Sequence, residues 1–123
     1  MRNRYLKSNL FMDGSEIFAF TLEVVPKIID KVLERENKSL KDIDLFVFHQ
    51  ANKYILEQLR NKIKISEDKF YVSMEHCGNT VSSTIPITLK NARDEGLLKL
   101  GQQILLVGFG VGYSWGASII KFL

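Results

Sequence analysis

Residues 45–52 read Leu45-Phe46-Val47-Phe48-His49-Gln50-Ala51-Asn52, four apolar residues followed at once by a polar turn. A short run that is apolar throughout predicts a strand covered on both faces, as in a parallel sheet flanked by helices. His49 then stands at the mouth of that strand. Downstream, a helix is predicted through Lys62, with Ile55, Leu56, Leu59 and Ile63 on its apolar side. Upstream, Ile17, Phe20, Val24, Ile28 and Val32 recur at helical spacing behind Ser15-Glu16, with Ser15 as the N-cap. Pro26 lies inside that pattern and predicts a kink or a split, because it removes a backbone donor.

The remaining segments extend the same alternation. Capped turns are expected at Ser39 to Asp42 and at Ser66-Glu67-Asp68. Phe70-Tyr71-Val72-Ser73 reads as a second strand and Met74 to Thr80 as a loop. A helix then runs to about Glu95, closed by Gly96 as a C′ glycine, with Pro86 in its first turns where a missing N–H matters least. Residues 104–109 and 114–122 read as strands joined by Gly110-Val111-Gly112. This order predicts an α/β fold: a mostly parallel mixed sheet, helices on both faces and a closing C-terminal β-hairpin.

The chain has 123 residues, 46% hydrophobic and 25% charged, which fits one globular domain and excludes disordered and low-complexity classes. Cys77 is its one cysteine, so no internal disulfide forms, as expected of a reducing cytoplasm. Residues 100–120 carry no charge, but glycines at 101, 108, 110, 112 and 116 interrupt them, which favours two buried strands over a membrane span. The first residues lack an apolar core of signal-peptide length. The expected location is therefore cytoplasmic. The net charge of +3 and pI near 9.0 suit an acidic partner and are weak evidence for nucleic acid. Lys53, Arg60 and Lys64 are expected on about one helical face, either a solvated surface or a docking surface for an acidic carrier or phosphate-bearing cofactor.

In parallel sheets, ligands sit beyond the carboxyl ends of the strands. His49 to Asn52, Met74 to Thr80 and Gly108 to Gly112 all emerge there. His49 reads either as a satisfied strand-end histidine or as a donor through one ring nitrogen while the other is held by a backbone partner. Asn79 reads either as a turn or N-cap residue or as a second donor into the same space. Two neutral N–H donors aimed at one oxygen stabilise an enolate or oxyanion. The glycine loop reads either as a packed hairpin or as a tight turn presenting backbone N–H groups to an anion. A dinucleotide-type phosphate loop is a weak reading of these glycines, because a strand rather than a helix follows and no acidic residue lies about 20 residues on. Cys77 is read as structural, since the adjacent His76 is poorly placed to activate it. Two histidines and one cysteine give no zinc spacing, and neither metal nor bound cofactor is expected.

Four ordered motifs make the chain recognisable: Met12-x-Gly14-x-Glu16-Ile17-Phe18; His49-Gln50-Ala51-Asn52; Gly78-Asn79-Thr80 with Ser83 and Ile85-Pro86; and Gly108-Phe109-Gly110-x-Gly112-Tyr113-Ser114-Trp115-Gly116. From about Phe11 to Phe122 the sequence resembles the C-terminal half of β-ketoacyl-acyl-carrier-protein synthase III, of the thiolase-like superfamily. The resemblance implies an acyltransferase that condenses an acyl group, accepted by a cysteine from acyl-CoA, with malonyl-acyl carrier protein, releasing carbon dioxide. It implies His49 and Asn79 as donors to the malonyl thioester oxygen and the Val111 backbone N–H as the donor to the acyl-cysteine oxygen. Asn52, Gly14 and Phe18 match positions lining the pantetheine channel. The whole enzyme is expected to be a homodimer whose partners are acyl carrier protein or a coenzyme A thioester.

The chain departs from the family at several points. Val111 stands where glycine is usual, so a backbone donor survives only at negative φ. Tyr54 stands where an arginine often serves carrier docking, which leaves Lys53 to supply a point charge there. The nucleophilic cysteine belongs to the N-terminal half, and Cys77 does not replace it. The expectation is a single domain over residues 1–123, a truncated or split C-terminal half that is inactive alone and exposes an apolar patch. The rival readings are a non-catalytic synthase-like partner subunit, motivated by Val111 and Tyr54, and a basic nucleic-acid module, which lacks interleaved aromatics on the Lys53 to Lys64 face.

Overall fold

The computed structural model describes residues 11–123, so the leader reading of residues 1–10 lies outside the described residues. Helix α1 spans Gly14–Arg35. Its N-cap is Asp13, not Ser15: Asp13 is extended, and its side chain accepts from the Glu16 N–H at 3.1 Å, leaving Ser15 inside the first turn. Pro26 does not split the helix. A proline costs about 3 kcal/mol in a helix interior. Here a buried stripe, Thr21, Val25, Ile29 and Leu33, holds the turns on both sides of it against the core. Tertiary packing thus overrides the local break.

Strand β1, Leu45–Phe48, is buried at every position, as an apolar run covered on both faces requires. Helix α2 follows at Lys53–Ile63, with Ile55, Leu56 and Leu59 buried. The polypeptide returns through a turn at Glu67–Lys69 to Phe70. The second strand expected at 70–73 shrinks to one parallel bridge, Phe46 to Phe70. The reason is where its hydrogen bonds go: Tyr71 N–H reaches the Phe46 carbonyl, but Ser73 N–H is taken by the Gln50 side chain. A tight turn at Val81–Ser83 leads into helix α3, Thr84–Asp94, which ends before Gly96 at φ +73°.

Strands β2, Gln103–Gly110, and β3, Ser114–Lys121, form the expected hairpin. The sheet order is β1-β2-β3, with β1 parallel to β2 and β2 antiparallel to β3. One face, through Phe46, Phe48, Leu105, Val107 and Phe109, packs on α1 and α2. The other, through Leu45, Val47 and Ile104, packs on Ile85, Leu89 and Ala92 of α3. This sandwich of helices on a mixed sheet is the α/β architecture the patterning predicts. The register pairs Phe48 with Val107, so the carboxyl ends of β1 and β2 finish side by side. Aromatic surface stays open beyond that edge, with Tyr113 and Trp115 each 49% exposed and packed on Phe20 of α1.

Candidate active site

The strand-end register fixes where the site lies. His49 N–H donates to the Val107 carbonyl at 2.8 Å, carrying the ladder one residue past β1. The imidazole packs edge-on against the Phe109 ring, centroids 5.3 Å apart. The β1 mouth and the start of the glycine loop therefore share one edge, as the topology requires.

The second segment is tied to the same place by side chains. Gln50 is 1% exposed; its amide donates to the Phe48 carbonyl at 2.7 Å and its oxygen accepts from Ser73 N–H at 2.9 Å. Asn91 of α3 donates to the Ser73 hydroxyl at 2.7 Å. This clamp holds the loop that ends at Asn79. Asn79 Oδ1 accepts from Val81 N–H at 2.9 Å, an Asx turn that uses the oxygen of this exposed side chain and not its NH₂. Val81 is in the left-handed region at φ +59°, which its branched side chain resists. Its carbonyl lies 3.2 Å from the Thr84 hydroxyl, and that hydroxyl lies 2.6 Å from His49 Nδ1. Asn79 and His49 are thus joined through Val81 and Thr84. The imidazole is half-buried, and burial pushes its pKa below the ordinary 6.5, an effect the Val81 carbonyl opposes in part. Burial thus favours the neutral ring, the form a neutral donor requires.

The other expected residues fall into two groups. Val111 sits in the β2–β3 turn with its side chain 63% exposed, and it keeps a negative φ. Gly14 opens α1 and Phe18 lies one turn later; the Phe18 ring stacks on Tyr54 of α2, centroids 5.6 Å apart. The first turns of α1 and α2 therefore meet at Phe18 and Tyr54, with Asn52 and Lys53 immediately before Tyr54 in the chain and Gly14 one turn before Phe18. Asn52 has a structural duty the motif did not reveal: it caps α2, accepting from Ile55 N–H at 2.8 Å. Lys53 is exposed at the first position of the helix. The straight basic face is corrected: Arg60 donates to the Ile65 carbonyl, and Lys64 has left the helix as a left-handed cap at φ +64°.

Cys77 is exposed, its thiol against the Ser73 carbonyl at 4.0 Å. Among the described residues no group of histidine, cysteine and carboxylate side chains could hold a metal ion, and no helix is long and apolar enough to cross a membrane. Sequence reasoning missed Thr84 and the Gln50-Ser73-Asn91 clamp. The hydroxyl run Ser82-Ser83-Thr84 before Ile85-Pro86 was the one visible hint of the former.

Comparison with known proteins identifies the family of the chain. Residues 33–122 match the family described as 3-oxoacyl-[acyl-carrier-protein] synthase III C terminal. A β-ketoacyl-[acyl-carrier-protein] synthase III of Clostridium tetani is 45% identical over the whole chain, which covers 36% of that protein. A crystal structure of a 3-oxoacyl-(acyl-carrier-protein) synthase III superposes with TM-score 0.91 at 49% identity, over 93% of this chain and 34% of that one. The Thermus thermophilus enzyme gives TM-score 0.91 at 34% identity, over 96% and 37%. The chain thus spans about a third of the length of the relatives it matches. With the family model covering most of its residues, the chain belongs to the 3-oxoacyl-[acyl-carrier-protein] synthase III C-terminal family.

Proposed function

We propose that this chain supplies the malonyl oxyanion site of a 3-oxoacyl-acyl-carrier-protein synthase III, an acyltransferase that performs a decarboxylative Claisen condensation. The observation that carries the reading is the hydrogen-bonded connection from His49 through Thr84 and Val81 to Asn79. It gives two side chains, remote in sequence, a common anchor at one sheet edge.

In this mechanism the malonyl thioester loses carbon dioxide, and the electrons of the broken C–C bond pass into the thioester as an enolate. The enolate oxygen takes N–H donors from His49 Nε2 and Asn79 Nδ2. One such donor contributes about 2.7–4 kcal/mol in a water-poor site. The enolate carbon then attacks the acyl-cysteine carbonyl of the N-terminal part of the synthase, forming the new C–C bond. The Val111 N–H receives the tetrahedral oxygen, and the cysteine leaves as thiolate when that intermediate collapses. The negative φ of Val111 keeps this donor possible, which weighs against a non-catalytic partner subunit. Gly14, Phe18 and Asn52 border the pantetheine path, and Lys53 offers a positive charge to the carrier. Without a nucleophilic cysteine of its own, this segment does not condense substrates alone.

The test joins this chain to the N-terminal portion of the Clostridium tetani relative and measures the two half-reactions separately. Asn79→Ala is expected to lower malonyl decarboxylation about 100- to 1000-fold and to leave acylation of the cysteine nearly intact. Equal loss in both half-reactions removes the assigned role.

A further inference from the structure

Residues 73–84 form an arch with Asn79 near its crown, and the consecutive residues His49 and Gln50 hold its two feet. At one foot the Thr84 hydroxyl lies 2.6 Å from His49 Nδ1. At the other the Ser73 N–H donates to Gln50 Oε1 at 2.9 Å. Asn91 of α3 donates to the Ser73 hydroxyl at 2.7 Å, and α3 begins at Thr84, so the feet are also braced against each other. His49, Gln50, Ser73, Asn91 and Thr84 thus close a ring under the segment that carries Asn79.

The orientation of the Gln50 carboxamide follows from its two partners. A backbone N–H only donates and a backbone carbonyl only accepts. The Gln50 oxygen therefore faces Ser73, and its nitrogen faces the Phe48 carbonyl at 2.7 Å. Between its feet the arch is closed turn by turn. Gly78, at φ +61°, donates its N–H to the Met74 carbonyl at 2.8 Å; Val81 N–H donates to Asn79 Oδ1, and Ser83 N–H to the Thr80 carbonyl at 3.2 Å. A segment folded on itself in this way carries a displacement of its foot to its crown.

We infer that Gln50 is a positioning residue for Asn79: its carboxamide fixes the Ser73 foot of the arch to the strand end where His49 meets the Thr84 foot, and so sets the spacing between the His49 and Asn79 side chains. The inference rests on the proposed oxyanion role for the catalytic value of that spacing, but the anchoring itself is measurable without substrate. Gln50 touches backbone groups on both sides and no reacting atom, so it acts through Asn79 alone. Its burial keeps water from replacing either bond.

The experiment uses the joined enzyme, with the two half-reactions measured separately. Gln50→Met keeps the length of the side chain and removes both bonds. It is expected to slow malonyl decarboxylation about 10- to 100-fold, the loss a misplaced group causes, with acylation of the cysteine nearly intact. In an Asn79→Ala background the same change is expected to add little, because the group it positions is gone. Gln50→Asn, one methylene shorter, keeps an amide that cannot span both partners; the same pattern is expected of it, and it replaces Gln50→Met if that variant does not fold. A loss undiminished in the Asn79→Ala background, or equal in both half-reactions, overturns the inference. The arm without substrate is amide hydrogen exchange of this chain. Slow exchange at Ser73 in the wild type, and faster exchange over residues 73–80 in the variant, supports the anchor; rapid exchange at Ser73 in the wild type overturns it. If Asn79→Ala alone leaves decarboxylation unchanged, the oxyanion reading falls, and the exchange data decide separately whether Gln50 holds the arch.

Discussion

The buried carboxamide of Gln50 accepts from the backbone N–H of Ser73 at 2.9 Å, and so ties the loop ending in Asn79 to the strand end that carries His49. The same side chain donates to the Phe48 carbonyl at 2.7 Å. Gln50→Leu keeps most of the volume and removes both bonds. It strands a carbonyl and an N–H in a poorly hydrated place, each costing about 1–3 kcal/mol. Urea denaturation should show a loss of about 2–4 kcal/mol, and an unchanged midpoint would mean that water satisfies both groups.

What could be read in advance divides by the range of the interaction that decides it. The β1 run and the β2–β3 hairpin were legible because burial on both faces and glycine turns write themselves into consecutive residues. The cap of α1 was misplaced because Asp13 and Ser15 both suit an N-cap, and only the backbone at Asp13 separates them. The strand at 70–73 was overcalled because its β-branched and aromatic residues look right, while its missing rung is occupied by Gln50, 23 residues earlier. His49 and Asn79 were legible as residue types at strand ends. Their connection was not, because Thr84 reaches His49 across 35 residues and no local pattern encodes that approach.

Asn52 was marked for the substrate path, but its side-chain oxygen is committed to the Ile55 N–H as the cap of α2. Its removal should therefore be visible in stability before any substrate is added. Asn52→Ala is expected to cost about 1 kcal/mol, and Asn52→Asp to cost little, because the carboxylate can take the same bond. Thermal unfolding of the two variants side by side checks this. Equal melting temperatures would assign the side chain wholly to ligand contact.

Val81 carries a branched side chain at φ +59° while both its peptide groups serve the site. Its side chain is 74% exposed, so little packing is lost on deletion. A non-glycine residue in that region costs about 1–3 kcal/mol, against about 0.5–1 kcal/mol for the added freedom of glycine in the unfolded chain. Val81→Gly should stabilise the fold by about 1 kcal/mol and leave the backbone bonds to Asn79 and Thr84 available. Denaturant titration reads the first effect. Malonyl decarboxylation by the joined enzyme, measured in the same variant, reads the second.

The depressed pKa of His49 gives the site a signed pH dependence. Burial is the leading cause, because it disfavours the imidazolium, and the Val81 carbonyl only partly offsets it. The folded value lies below the ordinary 6.5, so between the two the unfolded chain binds more protons than the folded one. The contribution of His49 to stability is therefore complete above about pH 6.5 and is lost as the pH falls through the folded value. His49→Phe should remove that acid-side slope from unfolding free energies measured against pH. The neutral donor persists over the same window, so the acid limb of decarboxylation by the joined enzyme should lie below pH 6.5. A His49 resonance that titrates above 6.5 would reverse the sign of both effects and show that the imidazolium, not the neutral ring, is favoured beside Thr84.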